Sequence, residues 1–329
     1  KLEQAIQNLE LNLEKNPQHT QTLSILIDIY EKTNQTAKRL NAMEKLATIN
    51  ENEELWLTIA NLYSEQNNIA KAEEALQKAL ELNPNYIEAK TRLAFLLYDN
   101  NRFDEAIPYL EAIFDKYPEN ELVSTRLANA YQKANRLDDA IAKYENTIKN
   151  NPQNTMAYLS AVNLYRLKVT QTSDPAEVAA INKKAIDILN TLITNQPNNA
   201  IAYMNMAAIY LSQNKLQDAE LYANKALQKD PTLYLPYIYL ATISQSKGTN
   251  DYNNFIDLEK QAAKAVGKKA STLKTQRDNA RNSAVNNFRK ALEYLNNAKA
   301  RTTDEHAIAD INNRIARVNQ LINQATATY

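Results

Sequence analysis

The chain has no cysteine and only two glycines in 329 residues, and each shortage excludes chemistry. Without cysteine there is no disulfide, no thiolate zinc site and no thiol nucleophile. Dinucleotide fingerprints, phosphate-binding loops and nucleophile elbows need glycine where backbone turns sharply or approaches a phosphate. Gly248 and Gly267 stand alone, so none of these can be built. Two histidines, His19 and His306, leave little for acid–base or metal work, and the sequence offers neither a partner. No apolar run approaches the roughly 18 residues of a membrane span, and no signal peptide is visible. Lysine plus arginine equals aspartate plus glutamate at 38 each, so no global field draws the chain to nucleic acid. These absences point away from an enzyme: no catalytic residue, metal ligand or cofactor is assigned.

What is present is a repeat. Prolines at 17, 84, 118, 152, 197 and 231 follow one another at gaps of 67, 34, 34, 45 and 34. Ala72, Ala106, Ala140, Ala185 and Ala219 keep the same register, spaced 34, 34, 45 and 34. Tyr63, Tyr131, Tyr165 and Tyr210 agree with both. Each unit reads as two amphipathic helices. In 53–86, Trp56, Ile59, Ala60 and Tyr63 form one apolar stripe; Ala72, Leu76 and Ala79 form a second that ends at Asn83-Pro84. Proline ends the helix because it lacks an N–H and restricts the residue before it. Small residues at Ala60, Ala94, Ala128, Ala207 and Ala241 let paired helices approach closely.

On these residues the chain resembles the tetratricopeptide repeat family. Its Trp-Leu-Gly-Tyr-Ala-Phe-Ala-Pro pattern falls on Trp56, Ile59, Ala60, Tyr63, Ala72, Leu76, Ala79 and Pro84. The same positions hold Ser124, Leu127, Ala128, Tyr131, Ala140, Tyr144, Thr147 and Pro152 in 121–154. In 200–233 they hold Tyr203, Met206, Ala207, Tyr210, Ala219, Ala223, Ala226 and Pro231. The resemblance implies an all-α, right-handed superhelical solenoid of helix-turn-helix units with a helical C-terminal cap. The expected organisation is a lone second helix in 1–19, then units near 20–52, 53–86, 87–120, 121–154, 155–199, 200–233 and a partial 234–250. Residues 251–329 follow as long helices (251–266, 271–299 and 304–325) and cap.

Unit 20–52 has no turn proline and is degenerate. Unit 155–199 carries 11 extra residues between Tyr165 and Ala185, where Asp174-Pro175-Ala176-Glu177 offers an N-cap and a first-turn proline that should lengthen the second helix. At the start, the stripe Leu2, Ala5, Leu9 and Leu13 lacks a partner first helix and should be left partly bare. That reads as a piece of a longer chain, with more helix and a signal or lipid anchor upstream.

The resemblance also implies that first helices line a concave face, and that the protein is a non-catalytic scaffold binding another protein or a peptide segment there. The outward candidates are Asn61, Arg92, Arg126, Asn129, Asn163, Arg166, Asn205 and Tyr239. Carboxamides suit the backbone of an extended peptide, and Arg92 and Arg126 suit a carboxylate. The lysine-and-asparagine clamp that the family uses for chaperone tails is missing, because its lysine position holds Leu57, Thr91, Thr125, Leu159 and Met204. Tyrosines at the packing positions are read as core, whereas Tyr222, Tyr234 and Tyr239 are surface candidates.

Residues 260–301 hold eleven Lys or Arg against Asp278 and Glu293, a net of +9. Lys264, Lys268, Lys269, Lys274, Arg277 and Arg281 make this a candidate basic face for anionic lipid headgroups or an acidic partner; with few aromatics, nucleic acid is the weakest option. Two other readings stand beside the scaffold. One is a substrate-recruiting module of a larger enzyme; the other is a homotypic assembly subunit of a bacterial envelope structure, stacking through terminal helices. The periplasm or envelope suits a cysteine-free chain of near-neutral charge better than the cytoplasm.

Overall fold

The computed structural model describes residues 2–327, which form sixteen helices and no strand. In order these are α1 (Leu2–Lys15), α2 (Thr20–Lys32), α3 (Thr36–Ile49), α4 (Glu53–Glu65), α5 (Ile69–Leu82), α6 (Ile87–Asp99), α7 (Phe103–Lys116) and α8 (Glu121–Lys133). There follow α9 (Leu137–Asn150), α10 (Thr155–Val169), α11 (Pro175–Asn195), α12 (Ala200–Ser212), α13 (Leu216–Lys229), α14 (Leu235–Lys264), α15 (Gly267–Lys299) and α16 (Glu305–Thr326). The chain divides within α9 into two compact units, 1–146 and 147–329.

In the first unit α2, α4, α6 and α8 are first helices, and α3, α5 and α7 pair with the first three of them. Helix pairs close over the residues that carried the repeat: Trp56, Ile59, Ala60, Ala72, Leu76 and Ala79 are all buried. Each large side chain taken fully out of water stabilises by about 1.5–3 kcal/mol. Ala60, Ala94, Ala207 and Ala241 are buried at helix contacts as expected, but Ala128 is half-buried.

Asparagine does two jobs that the sequence reading did not assign. Asn52, Asn68, Asn120, Asn154 and Asn199 are N-caps, each side chain accepting from the backbone N–H three residues on. Asn34, Asn67, Asn101, Asn135 and Asn214 hold positive φ (54 to 60°) in the turn between paired helices. That left-handed geometry suits glycine best and asparagine next. In a chain with two glycines, asparagine takes the position. Where unit 20–52 lacks its proline, Glu51 makes the turn at φ 46°.

At the start the expected stripe is partly bare, and the one buried residue of α1 lies outside it. Ile6 is buried at the α1–α2 contact, with Leu9 and Leu13 beside it against Leu23, Leu26 and Tyr30, while Leu2 and Ala5 are exposed. The apolar stripe is rotated toward α2, and Ile6, Leu9 and Leu13 follow the helical i, i+3, i+7 spacing. His19 has a partner after all: its Nδ1 accepts from the Thr22 N–H at 3.2 Å as the N-cap of α2.

In the second unit α10 pairs with α11 and α12 with α13. The insertion lengthens α11 to 21 residues, capped by Asp174 accepting from the Ala176 N–H. Beyond it the boundary expected at 250 falls inside one continuous helix. α14 runs 30 residues, joining the partial unit to the first long helix, because nothing at 246–250 breaks it. Gly248 is tolerated there for a packing reason: a Cβ would meet the Phe288 ring at 2.7 Å. α16 caps α15 through Ile311, Val318 and Ala325, which are buried, with Ile315 and Ile322 beside them.

Candidate partner-binding faces

Successive repeats of the first unit are stitched by one recurring contact. The hydroxyls of Tyr30, Tyr63 and Tyr131 donate to Glu10, Glu44 and Glu111 at 2.7, 2.6 and 2.7 Å. In each case a first-helix tyrosine reaches a glutamate on the second helix before it. Burial, and then the adjacent carboxylate, pushes all three phenols well above the usual tyrosine range. These tyrosines are therefore ordering elements that fix each first helix against the second helix before it.

On the exposed side of those helices the candidates of the first unit fall on α4, α6 and α8. The Arg126 guanidinium lies 4.1 Å from the Phe95 ring centroid and 5.0 Å from that of Tyr98. It also reaches Asp99 at 3.2 Å. Tyr98 is pinned in turn by an edge contact with Phe103 at 5.4 Å. Phe95 and Tyr98 are half-buried, and Leu122 beside this cluster in sequence register is 54% exposed. Arg92 and Asn129 are exposed and Asn61 is half-buried. The sequence analysis singles out neither Phe95 nor Leu122, because it weighs polar side chains for a partner and reads apolar ones as packing. The two arginines are not equivalent: Arg126 is held by Asp99, while Arg92 has no charged partner among the described residues.

The second unit holds the remaining candidates. Asn163 and Arg166 are exposed on α10. Asn205 is 7% exposed and its Nδ2 donates to the Ile201 carbonyl of its own helix at 3.0 Å, so it does not face out for a partner. Ser160 and Ala208 are buried alongside, because α10, α12 and α14 approach closely. Tyr239 is half-buried against Ala207, Ala223 and Leu240 rather than on the surface. Its burial raises its pKa, and Arg166 offsets only part of that. Tyr222 likewise stacks on Tyr210, ring centroids 5.3 Å apart.

Of the basic face, Lys264, Lys268, Lys269 and Lys274 are exposed. Arg277 is paired with Asp278 at 2.7 Å and Glu259 at 3.5 Å. Arg281 donates to the carbonyls of Ala325 and Thr326, satisfying the C-terminal end of α16. Those two arginines are engaged within the chain. Among the described residues no group of three or more His, Asp or Glu is placed to hold a metal ion, and no helix is long and apolar enough to cross a membrane.

A tetratricopeptide repeat family model matches residues 12–161, and a second matches 182–233. The chain is a tetratricopeptide repeat protein. This tetratricopeptide repeat protein is 31% identical over 120 residues to Lipopolysaccharide assembly protein B of Haemophilus influenzae. That match spans 34% of this chain and 30% of the relative. Among solved structures, Naa15/Naa10 bound to HypK-THB is similar at TM-score 0.50 and 15% identity, covering 98% of this chain and 60% of that one. A tetratricopeptide repeat protein from Parabacteroides merdae is similar at TM-score 0.41 and 13% identity, covering 90% and 98% of the two chains. At these identities the structural likeness is one of fold. The fold is that of a protein-interaction scaffold, and its family is generally non-catalytic.

Proposed function

We propose that the first-helix face of residues 2–146 holds an extended segment of another protein. The observation that carries this reading is Arg126 lying over the Phe95 ring beside Tyr98, with Leu122 bare and Arg92 without a charged partner among the described residues. Aromatic rings held by their neighbours offer apolar area at a reduced ordering cost, and aromatic residues and arginine are both enriched where partners dock. The Arg126–Asp99 pair is exposed on the aspartate side, and such pairs contribute about 0–1 kcal/mol. A partner carboxylate can therefore displace Asp99 at small cost. The partner is a segment with an apolar anchor beside an acidic group. The likeness to a lipopolysaccharide assembly protein favours assembly of the bacterial envelope as the setting.

The test selects binders from a random peptide library against the whole chain, then measures them by calorimetry against Leu122→Asp and Arg126→Glu variants. The reading expects acidic-plus-apolar peptides whose affinity falls by about tenfold or more in either variant. Selected peptides that bind both variants like the unmodified chain would overturn it.

A further inference from the structure

The turn between α14 and α15 is bare and apolar at its apex and basic on either side. Val266 occupies the N-cap of α15 with no side-chain cap hydrogen bond, and it is 86% exposed, the barest large apolar residue among those described. Gly267 follows at φ 63°. Lys268 and Lys269 then sit in the first turn, where the helix macrodipole is positive and cations are unfavourable. No acidic residue accompanies them, whereas α11 and α16 carry an aspartate cap and a first-turn glutamate. From Lys264 to Lys274 there are four lysines and no Asp or Glu. All four are exposed and none has an ion-pair partner among the described residues, while Lys260, Arg277 and Arg281 nearby are engaged. An apolar N-cap and cations in the first turn both lower helix stability, so stability does not account for them.

The surroundings give the turn reach. Arg281 holds the C-terminal carbonyls of α16, so the stretch of α15 before it, 267–280, lies beyond the end of the third helix. At about 1.5 Å per residue this two-helix tip extends on the order of 20 Å. We infer that the α14–α15 tip docks on an anionic lipid surface, the lysines meeting headgroup phosphates and Val266 entering the interface. Lysine is a compact point charge that attracts anionic headgroups without needing a matched fork. A bare aliphatic side chain at the apex adds an apolar contact. Tyrosines, tryptophans and arginine forks, which stack on or read nucleic acids, are missing from 264–276.

The experiment is flotation of the whole chain with phosphatidylcholine vesicles, with and without phosphatidylglycerol. Binding is expected only to the anionic vesicles and should weaken as salt is raised. Lys268→Glu/Lys269→Glu should weaken it by about tenfold or more. The same double variant should melt no lower than the parent, because it places acids where the dipole favours them, so unfolding cannot mimic the loss. Val266→Ser, which leaves the charge unchanged, should weaken flotation several-fold. Equal flotation on both vesicle types, or undiminished flotation of the charge-reversed variant, would overturn the inference. Displacement from anionic vesicles by a duplex oligonucleotide bound more tightly would overturn it too, in favour of a nucleic-acid partner.

Discussion

The phenol of Tyr144 crosses its helix pair and donates a hydrogen bond of 2.9 Å to the backbone carbonyl of Ser124. Both residues are fully buried, and Tyr144 also meets Phe114 edge-on at 5.3 Å. In unit 53–86 the corresponding positions hold Trp56 and Leu76, a large first-helix residue facing a smaller second-helix one. In 121–154 the larger residue sits on the second helix instead, and the serine opposite makes room for it. Ser124→Trp alone should overpack and cost about 1–3 kcal/mol, and Tyr144→Leu alone should leave a cavity and cost about 2–4 kcal/mol. The double variant should be more stable than the sum of the two losses predicts. Denaturant titration of all four proteins checks this, and simple additivity would show that the two sites do not share one space.

This pair shows what the sequence could and could not reveal. The repeat register was legible because proline, alanine and tyrosine mark it independently, and the buried side chains follow it. Serine at the large-residue position looked like a weak match, and only packing shows that Tyr144 compensates. The use of asparagine in caps and left-handed turns depends on backbone geometry that periodicity does not carry. Periodicity likewise could not tell Asn205 facing a partner from Asn205 folded onto its own helix. That distinction rests on how closely α10, α12 and α14 approach. Continuity of α14 past residue 250 was hidden because the packing pattern changes there while the helix does not.

Gly248 supplies a test of the C-terminal half. Its missing Cβ lets Phe288 lie against the α14 backbone, and a methyl there would sit 2.7 Å from two ring carbons and 3.2 Å from the Ala284 carbonyl. Alanine ordinarily gains about 1 kcal/mol over glycine within a helix. Here the Phe288 ring is fully buried and has little room to yield, so Gly248→Ala should fail to realise that gain. Gly248→Leu should cost about 1–3 kcal/mol or more through overpacking. Thermal melts of both variants are the measurement, and a leucine variant as stable as the parent would contradict the α14–α15 contact.

Acid should loosen the start of the first unit. The Glu10 carboxylate accepts from Lys38 Nζ at 2.9 Å and from the Tyr30 hydroxyl at 2.7 Å, and these hydrogen bonds hold its pKa below the ordinary 4.5. A carboxylate with a depressed folded pKa stabilises the fold above its unfolded value and loses that contribution as pH falls through the folded one. The melting temperature should therefore drop between about pH 5 and pH 3, and Glu10→Gln should show a smaller drop over the same range. An identical acid response in the variant would mean that other carboxylates carry the effect.

The turn asparagines make the sharpest statement about backbone. Asn67 sits at φ 57°, with its N–H donating to the Ser64 carbonyl and the Asn68 N–H to that of Tyr63, both at 2.9 Å. Glycine relieves the left-handed cost but adds freedom to the unfolded chain, so Asn67→Gly should range from neutral to a gain of about 1 kcal/mol. A β-branched residue meets the full steric penalty, and Asn67→Val should lose about 1–2 kcal/mol. Asn135 holds the equivalent place at φ 58° and should respond alike. Melting curves of the glycine and valine variants at both sites separate turn geometry from side-chain contact. If valine were tolerated at both, the turns would not be left-handed; if glycine hurt as much as valine, the carboxamide itself would be the stabilising group.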